Sequence, residues 1–298
     1  MISVSVYKLL LILLIVIVGG YFYYNYTELK IGSYIIPIKS DSINQDELKT
    51  YVINLDRTPE RYKKVKKQLD DFGLKHERFS AVDGYLLELH DTSKSATFTG
   101  YDIKDGKYEL QPNSRYLIRC PNMELEYLSN FDDIIKRTLT AGEFGCYCSH
   151  MEMWHNMASQ NIKYALVLED DITLEDEFSK NFAELITNLP KDWDIIYLYL
   201  GYSPGKQFNK IVFNDKLLKI MPDNLFIYAT AGYLISKKGA EKLMKYSSSF
   251  SYPIDNRMSQ ALNERIINAY KTKSLYINTP LSQDPRDSTI HEMGRNIF

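Results

Sequence analysis

Short apolar runs alternate with amphipathic stretches along most of the chain. Tyr51-Val52-Ile53-Asn54-Leu55 is too brief for a helix and reads as a strand buried on both faces. Thr58 and Pro59 then sit where a helix cap and a first helical residue belong. Tyr62, Val65, Leu69 and Phe72 keep helical spacing, and Gly73 offers the stop. Phe79 to Val82 predicts a second strand that ends in an Asp83-Gly84 turn. From Tyr85 to Asp133 the pattern dissolves into short polar pieces broken at Gly100, Gly106 and Pro112. This region reads as an insertion or a long excursion flanking the site. Cys146, His150, Met153, Trp154 and Met157 return to helical spacing. Lys163 to Leu168 is then a buried strand that stops abruptly at Glu169-Asp170-Asp171. Phe178, Phe182, Leu185 and Ile186 predict a helix ending near Pro190. Strands follow over 194–201 and 230–236, helices over 237–246 and from Asn256 to about Ala269, and a last strand over Ser274 to Ile277. Strands alternating with helices predict an α/β fold with a mostly parallel central sheet.

Ahead of this pattern, Leu9 to Val18 is uninterrupted aliphatic sequence, followed by Gly19-Gly20 and Tyr21-Phe22-Tyr23-Tyr24. Counted from Ile2, the stretch is just long enough to span a bilayer, with Lys8 able to snorkel and the aromatics suited to an interfacial belt. The expected organisation is a signal-anchor helix over 1–24, a stem over 25–48 and a catalytic domain over 49–298. The expected placement is single-pass, with a cytoplasmic N-terminus and the domain on the luminal or outer side. Asn25-Tyr26-Thr27 is a glycosylation sequon close to that anchor.

Charge narrows the function. Thirty-six basic residues against 38 acidic ones in a 298-residue chain argue against a nucleic-acid binder, which carries a basic excess. Three cysteines, Cys120, Cys146 and Cys148, make no disulfide framework, and Cys146-Tyr147-Cys148 lacks a partner pair for a zinc site. They read as buried thiols, or as Cys120 bonded to one of the other two.

The chemistry gathers at strand ends. Three adjacent carboxylates at 169–171 repel one another, and a hard divalent cation, Mg²⁺ or Mn²⁺, would reconcile them while holding a diphosphate. Ligands in open α/β sheets sit beyond the carboxyl ends of the strands, where these acids fall. The first strand–turn–helix, over 51–72, presents backbone N–H groups and a helix N-terminus to an anion, with Arg57 and Arg61 in or beside it. Lys63, Lys64, Lys66 and Lys67 read as a solvated helix face. Asp255 follows a rigid proline and precedes a helix, so it serves either as a helix cap or as a held carboxylate.

The order of motifs resembles glycosyltransferase family 25. The matching residues are Val52-Ile53-Asn54-Leu55-Asp56-Arg57 with Arg61, Ala81-Val82-Asp83-Gly84, and Gly142-Glu143-Phe144-Gly145-Cys146 with Ser149-His150. They continue with Leu168-Glu169-Asp170-Asp171, Gly232-Tyr233-Leu234-Ile235-Ser236 and Pro253-Ile254-Asp255. The resemblance implies a GT-A-type nucleotide-sugar fold and metal-dependent, inverting transfer of a hexose, often galactose, from a UDP-sugar to a glycan, glycoprotein or glycolipid hydroxyl. It implies donor contacts by Asn54, Leu55, Arg57, Arg61, Asp83, Gly84 and Ser149. Metal ligands would come from Glu169, Asp170, Asp171 and a C-terminal histidine, His291. Catalytic roles would fall to Asp255 as base, with Glu143 and His150 near the donor sugar. Two rivals stand beside this reading: a non-catalytic nucleotide-sugar- or glycan-binding protein, and a metal-dependent phosphohydrolase, which would want more clustered histidines.

Overall fold

The structure, a computed structural model, describes residues 41–129, 137–202, 209–223, 227–228 and 230–279. The anchor expected over 1–24, most of the stem, and His291 lie outside the described residues. Among the described residues no helix is long and apolar enough to cross a membrane. On that finding the single-pass membrane placement, and the membrane as a partner, are corrected.

The chain opens with β1 (Leu48–Asn54), α1 (Pro59–Asp71) and β2 (Glu77–Ser80). β3 (Leu89–Asp91), β4 (Ala96–Phe98), β5 (Arg115–Cys120) and β6 (Met123–Leu128) come next. The long helix α2 (Ala141–Ser159), strand β7 (Tyr164–Glu169) and helix α3 (Phe178–Ile186) follow. β8 (Ile195–Tyr197), β9 (Lys210–Val212), β10 (Leu217–Ile220) and β11 (Gly232–Ser236) continue the sheet. α4 (Lys237–Tyr246), β12 (Ser249–Phe250), α5 (Ile254–Asn263) and β13 (Ala269–Thr272) complete the larger elements.

The central eight-stranded sheet has the order β9-β10-β13-β8-β11-β7-β1-β2. β1 runs parallel to β2 and β7, and β8 runs parallel to β13. β11 lies antiparallel between β7 and β8, and β9 and β10 add an antiparallel edge. The sheet is therefore mixed rather than mostly parallel. Reversing β11 has a consequence for the site: its N-terminal end lies beside the C-terminal end of β7, with Gly232 opposite Leu168.

Side-chain alternation divides the core into two layers. Tyr51, Ile53, Ala165, Val167, Ile195, Tyr233 and Ile235 pack toward α2, α4 and α5. Val52, Leu166, Leu168, Ile196 and Leu234 pack the other way, with Val65 and Leu69 of α1 and Phe178 and Phe182 of α3. Helices on both faces explain why these strands are continuously apolar in sequence.

Three helices end in the same way for different residues. Gly73, Asn161 and Arg265 each adopt a positive φ just past α1, α2 and α5. In each case two backbone N–H groups turn back onto the last helical carbonyls, as in Leu74 to Leu69, Ile162 to Met157 and Ile266 to Ala261. α5 thus stops at Asn263 and Ala269 starts a strand, where a helix to about 269 was expected. The Thr58 hydroxyl does not cap α1; it donates to Leu55 O at 3.2 Å, and the helix starts on Pro59.

A second sheet of order β12-β6-β5-β3-β4 takes four strands from residues 89–128 and its edge strand β12 from Ser249–Phe250. Tyr116, Ile118 and Cys120 on β5 and Leu125 and Tyr127 on β6 are buried, alternating with more exposed neighbours. This small sheet is tied to α2. Cys120 and Cys148 form a disulfide, leaving Cys146 free among the three cysteines. Beside it, Asn122 donates from its backbone and side chain to the buried Glu152, both at 2.7 Å.

Candidate active site

The parallel register of β1 and β7 pairs Ile53 with Glu169, so both strands deliver their next residues to one place. From β1 come Asn54 and the tight turn Leu55–Thr58, closed by Thr58 N to Leu55 O at 3.0 Å. From β7 come Glu169, Asp170 and Asp171.

Strand alternation then sends neighbouring acids in opposite directions. Glu169 shares the face of Ala165 and Val167 and meets α2. Its Oε1 accepts from Thr230 Oγ1 at 2.5 Å and lies 3.5 Å from His150 Nε2. The His150 ring is buried and its Nδ1 is 2.8 Å from the Tyr233 hydroxyl, which also accepts from Trp154 Nε1 at 3.1 Å. Trp154 only donates, so it takes a lone pair of the Tyr233 oxygen, and the Tyr233–His150 bond completes the chain behind Glu169. Burial opposes ionisation of Glu169, but the His150 and Thr230 bonds and the charge of Arg61 hold its carboxyl below the ordinary range.

Asp170 shares the face of Leu166 and Leu168 and meets α1. Its Oδ1 pairs with Arg61 Nε at 3.0 Å, and its Oδ2 accepts from Asn54 Nδ2 at 2.6 Å. Asp171 Oδ2 takes Arg61 NH2 at 2.8 Å, while its Oδ1 is buried with no hydrogen-bond partner among the described residues. Burial and then the Glu169 charge push Asp171 up to about 7, against the pull of Arg61. Burial also raises Asp170, with Arg61 and Asn54 opposing.

The amide of Asn54 is oriented by a residue the sequence did not single out. Arg78 on β2 donates to Asn54 Oδ1 at 2.7 Å and to Asn54 O at 3.0 Å, so the NH₂ end must face Asp170. Of the other expected donor residues, Arg57 Nε pairs with Asp83 Oδ2 at 2.8 Å. Gly84 and Ser149 have a different occupation. A Cβ on Gly84 would fall 1.6 Å from Ala141 O, and one on Gly145 would fall 2.6 Å from Gly84 N. Turn and helix therefore touch backbone to backbone, and Ser149 Oγ locks them by accepting from Val82 N at 2.9 Å and donating to Gly145 O at 2.7 Å.

Glu143 caps its own helix. Thr140 and Glu143 exchange hydrogen bonds in a capping box, and Arg137 clamps the same carboxylate with two bonds of 2.7 Å. Burial opposes its ionisation, but Arg137 and Thr140 hold it below the ordinary glutamate range. Asp255 lies in the first turn of α5, whose N-cap is Pro253, and accepts from Asn256 N at 2.7 Å. Its charge nevertheless reaches the Cys146 thiol and the buried Tyr197 hydroxyl.

Residues 47–258 match the family model for glycosyltransferase family 25 (LPS biosynthesis protein). This chain belongs to glycosyltransferase family 25. The family match runs from just before β1 into α5 and takes in the acidic run, Asn54, Arg61, Arg78, His150 and Asp255. Similar family members include a glycosyltransferase 25 family member from Aedes aegypti, 30% identical over 237 residues, covering 76% of this chain and 33% of that protein. Procollagen galactosyltransferase 2 from Homo sapiens is 28% identical over 242 residues, covering 80% of this chain and 33% of that one. The chain thus spans about a third of the length of the curated family members it matches.

Beyond Arg78, sequence reasoning passed over Thr230, Trp154 and Tyr233 as site residues. Thr230 is two residues ahead of a strand whose direction the sequence does not disclose. Only the reversal of β11 brings it to the acids.

Proposed function

We propose that this chain is a metal-dependent, inverting glycosyltransferase on a GT-A-type fold, moving a hexose from a UDP-sugar to a hydroxyl of a glycan, glycoprotein or glycolipid. Galactose is the proposed sugar, in keeping with the procollagen galactosyltransferases among its relatives. The observation that carries the reading is the buried Oδ1 of Asp171, without a hydrogen-bond partner among the described residues, at the joined carboxyl ends of β1 and β7. An unpaired buried carboxylate oxygen among three acids is costly, and a divalent cation is the partner whose chemistry fits it. Mn²⁺ or Mg²⁺ would be held by Asp171, with Asp170 at hand. When bound, it neutralises charge on the departing diphosphate.

The chain's own groups do the rest. Arg61 is fixed by two carboxylates at the N-terminal turn of α1, where its planar fork suits phosphate oxygens. Arg57 and Asp83 border the same turn. Asp255 is the proposed base: it takes the acceptor hydroxyl proton as that oxygen bonds to the anomeric carbon. The bond to UDP breaks with its electron pair on the diphosphate. His150 supports Glu169 from behind, and Glu143 sets the start of the helix that carries His150.

The test is UDP release from a panel of UDP-hexoses, with Mn²⁺ or with EDTA, on wild type and Asp255→Asn. Sugar-dependent release that EDTA abolishes is expected. Loss of about 100- to 10,000-fold in Asp255→Asn at unchanged UDP affinity supports the base. UDP binding without release on any donor would favour the non-catalytic binding protein instead.

A further inference from the structure

Three chemically different ligand groups converge behind the acidic run. Cys146 Sγ, one nitrogen of His150 and one oxygen of Glu169 all lie within 4.8 Å of one another. Cys146 and His150 are four residues apart on α2, so both project from one face of the helix. Glu169 is delivered opposite them by β7. The sequence disfavoured zinc because Cys146-Tyr147-Cys148 has no second pair. The fold takes Cys148 away into a disulfide and supplies a histidine and a carboxylate in its place.

We propose that Cys146, His150 and Glu169 form a zinc-class site, distinct from the hard-cation position at Asp171. One sulfur, one nitrogen and one oxygen are a donor set that borderline-soft cations prefer and that Mn²⁺ or Mg²⁺ do not. The His150–Glu169 separation of 3.5 Å is already close to the spacing of about 3.3 Å that two ligands take on a tetrahedral zinc. The sulfur has about an ångström to close, within reach of a side-chain rotation.

Two of the ligands already have supporting partners. Tyr233 meets His150 Nδ1 at 2.8 Å and fixes the ring so that Nε2 points into the cluster. Thr230 holds the Glu169 carboxylate. On binding, the thiol proton leaves to solvent. His150 ligates through an unprotonated Nε2 while its Nδ1 keeps the contact with the Tyr233 hydroxyl. Burial and the nearby charges of Glu169 and Asp255 raise the Cys146 thiol, and the same negative charges favour a dication. Three protein ligands leave a fourth position, as in zinc sites that admit an outside ligand. Cys146 and Glu169 are each partly exposed, giving an entry path.

The experiment is titration of EDTA-treated, dialysed protein with Co²⁺ and Cd²⁺, read by sulfur-to-metal charge-transfer absorption. Because Cys120 and Cys148 are joined, such a band reports on Cys146 alone. One equivalent should saturate the band in wild type and in Asp171→Asn, and the band should be absent in Cys146→Ser, a near-isosteric change. One equivalent of Zn²⁺ should slow maleimide labelling of Cys146 by at least about tenfold, and Mn²⁺ should not. No band in wild type, a band that survives Cys146→Ser, or one lost in Asp171→Asn would overturn the site. None of these readouts uses sugar transfer, so the result stands apart from the enzymatic reading.

Discussion

Glu169 and Asp171 leave the same strand end two residues apart, yet the fold surrounds them differently. On the α2 side, Glu169 meets a chain of partners running through His150, Tyr233 and Trp154, with Thr230 closing it. On the α1 side, Asp171 receives one arginine bond and keeps an oxygen buried without a partner among the described residues. The first arrangement resembles a satisfied polar core and contributes to stability. The second stores an electrostatic cost that a ligand can relieve. Strand alternation parts Glu169 from Asp170, and the turn that follows the end of β7 at Glu169 brings Asp171 to Arg61 on the α1 side as well.

The comparison can be broken at four points. Asp171→Asn should cost about 100-fold or more in Mn²⁺-dependent transfer while leaving the thermal midpoint unchanged or raised, since it removes a charge whose burial beside Glu169 the Arg61 pair only partly offsets. Near-native transfer in that variant would place the cation elsewhere. His150→Ala should do the reverse, lowering stability by about 2–4 kcal/mol in chemical denaturation by opening a cavity and stranding Tyr233 and Glu169. A loss within a few tenths of a kcal/mol would mean that the buried side is not structural.

Glu143→Gln comes third, at about 1–2 kcal/mol near neutral pH, measured by denaturant midpoints from pH 3 to 7. The folded-state pKa of Glu143 is depressed, so its contribution is present above the unfolded glutamate value of about 4.3 and is lost as pH falls through the lower folded value. The glutamine variant should therefore show a flatter acid limb than wild type. An identical limb would assign acid sensitivity to other carboxylates. The smallest effect is expected for Arg78→Gln, which frees the Asn54 amide and should weaken Mn²⁺-dependent UDP binding about fivefold, readable by calorimetry. Unchanged affinity would show that Asn54 holds its orientation without help.

The two faces were unequally legible in the sequence. The acids, Asn54 and Arg61 announced themselves because buried parallel strands read as apolar runs whose ends are easy to find. Gly73 marked the end of α1, but Arg265 performs the same turn after α5 with no glycine to signal it, so the following strand was read as helix. The second sheet was missed for another reason. β5 and β6 bury only alternate residues, and Arg115, Arg119, Glu124 and Glu126 between them made the stretch look polar. Strand direction was not legible at all. Partners such as Thr230 and Arg78 depend on which strands run which way and lie side by side, which neither spacing nor composition encodes.

The bare contact between Gly84 and Gly145 reaches further than the site it supports. Sixty-one positions apart in sequence, the two form a joint with no side chain to yield, so an added methyl group at either acts as a wedge rather than a cavity filler. A second substitution elsewhere cannot make room, because the obstructing atoms are main chain. A saturation survey should thus find Gly84 and Gly145, one in a turn and one inside a helix, failing even for alanine and not rescued in combination.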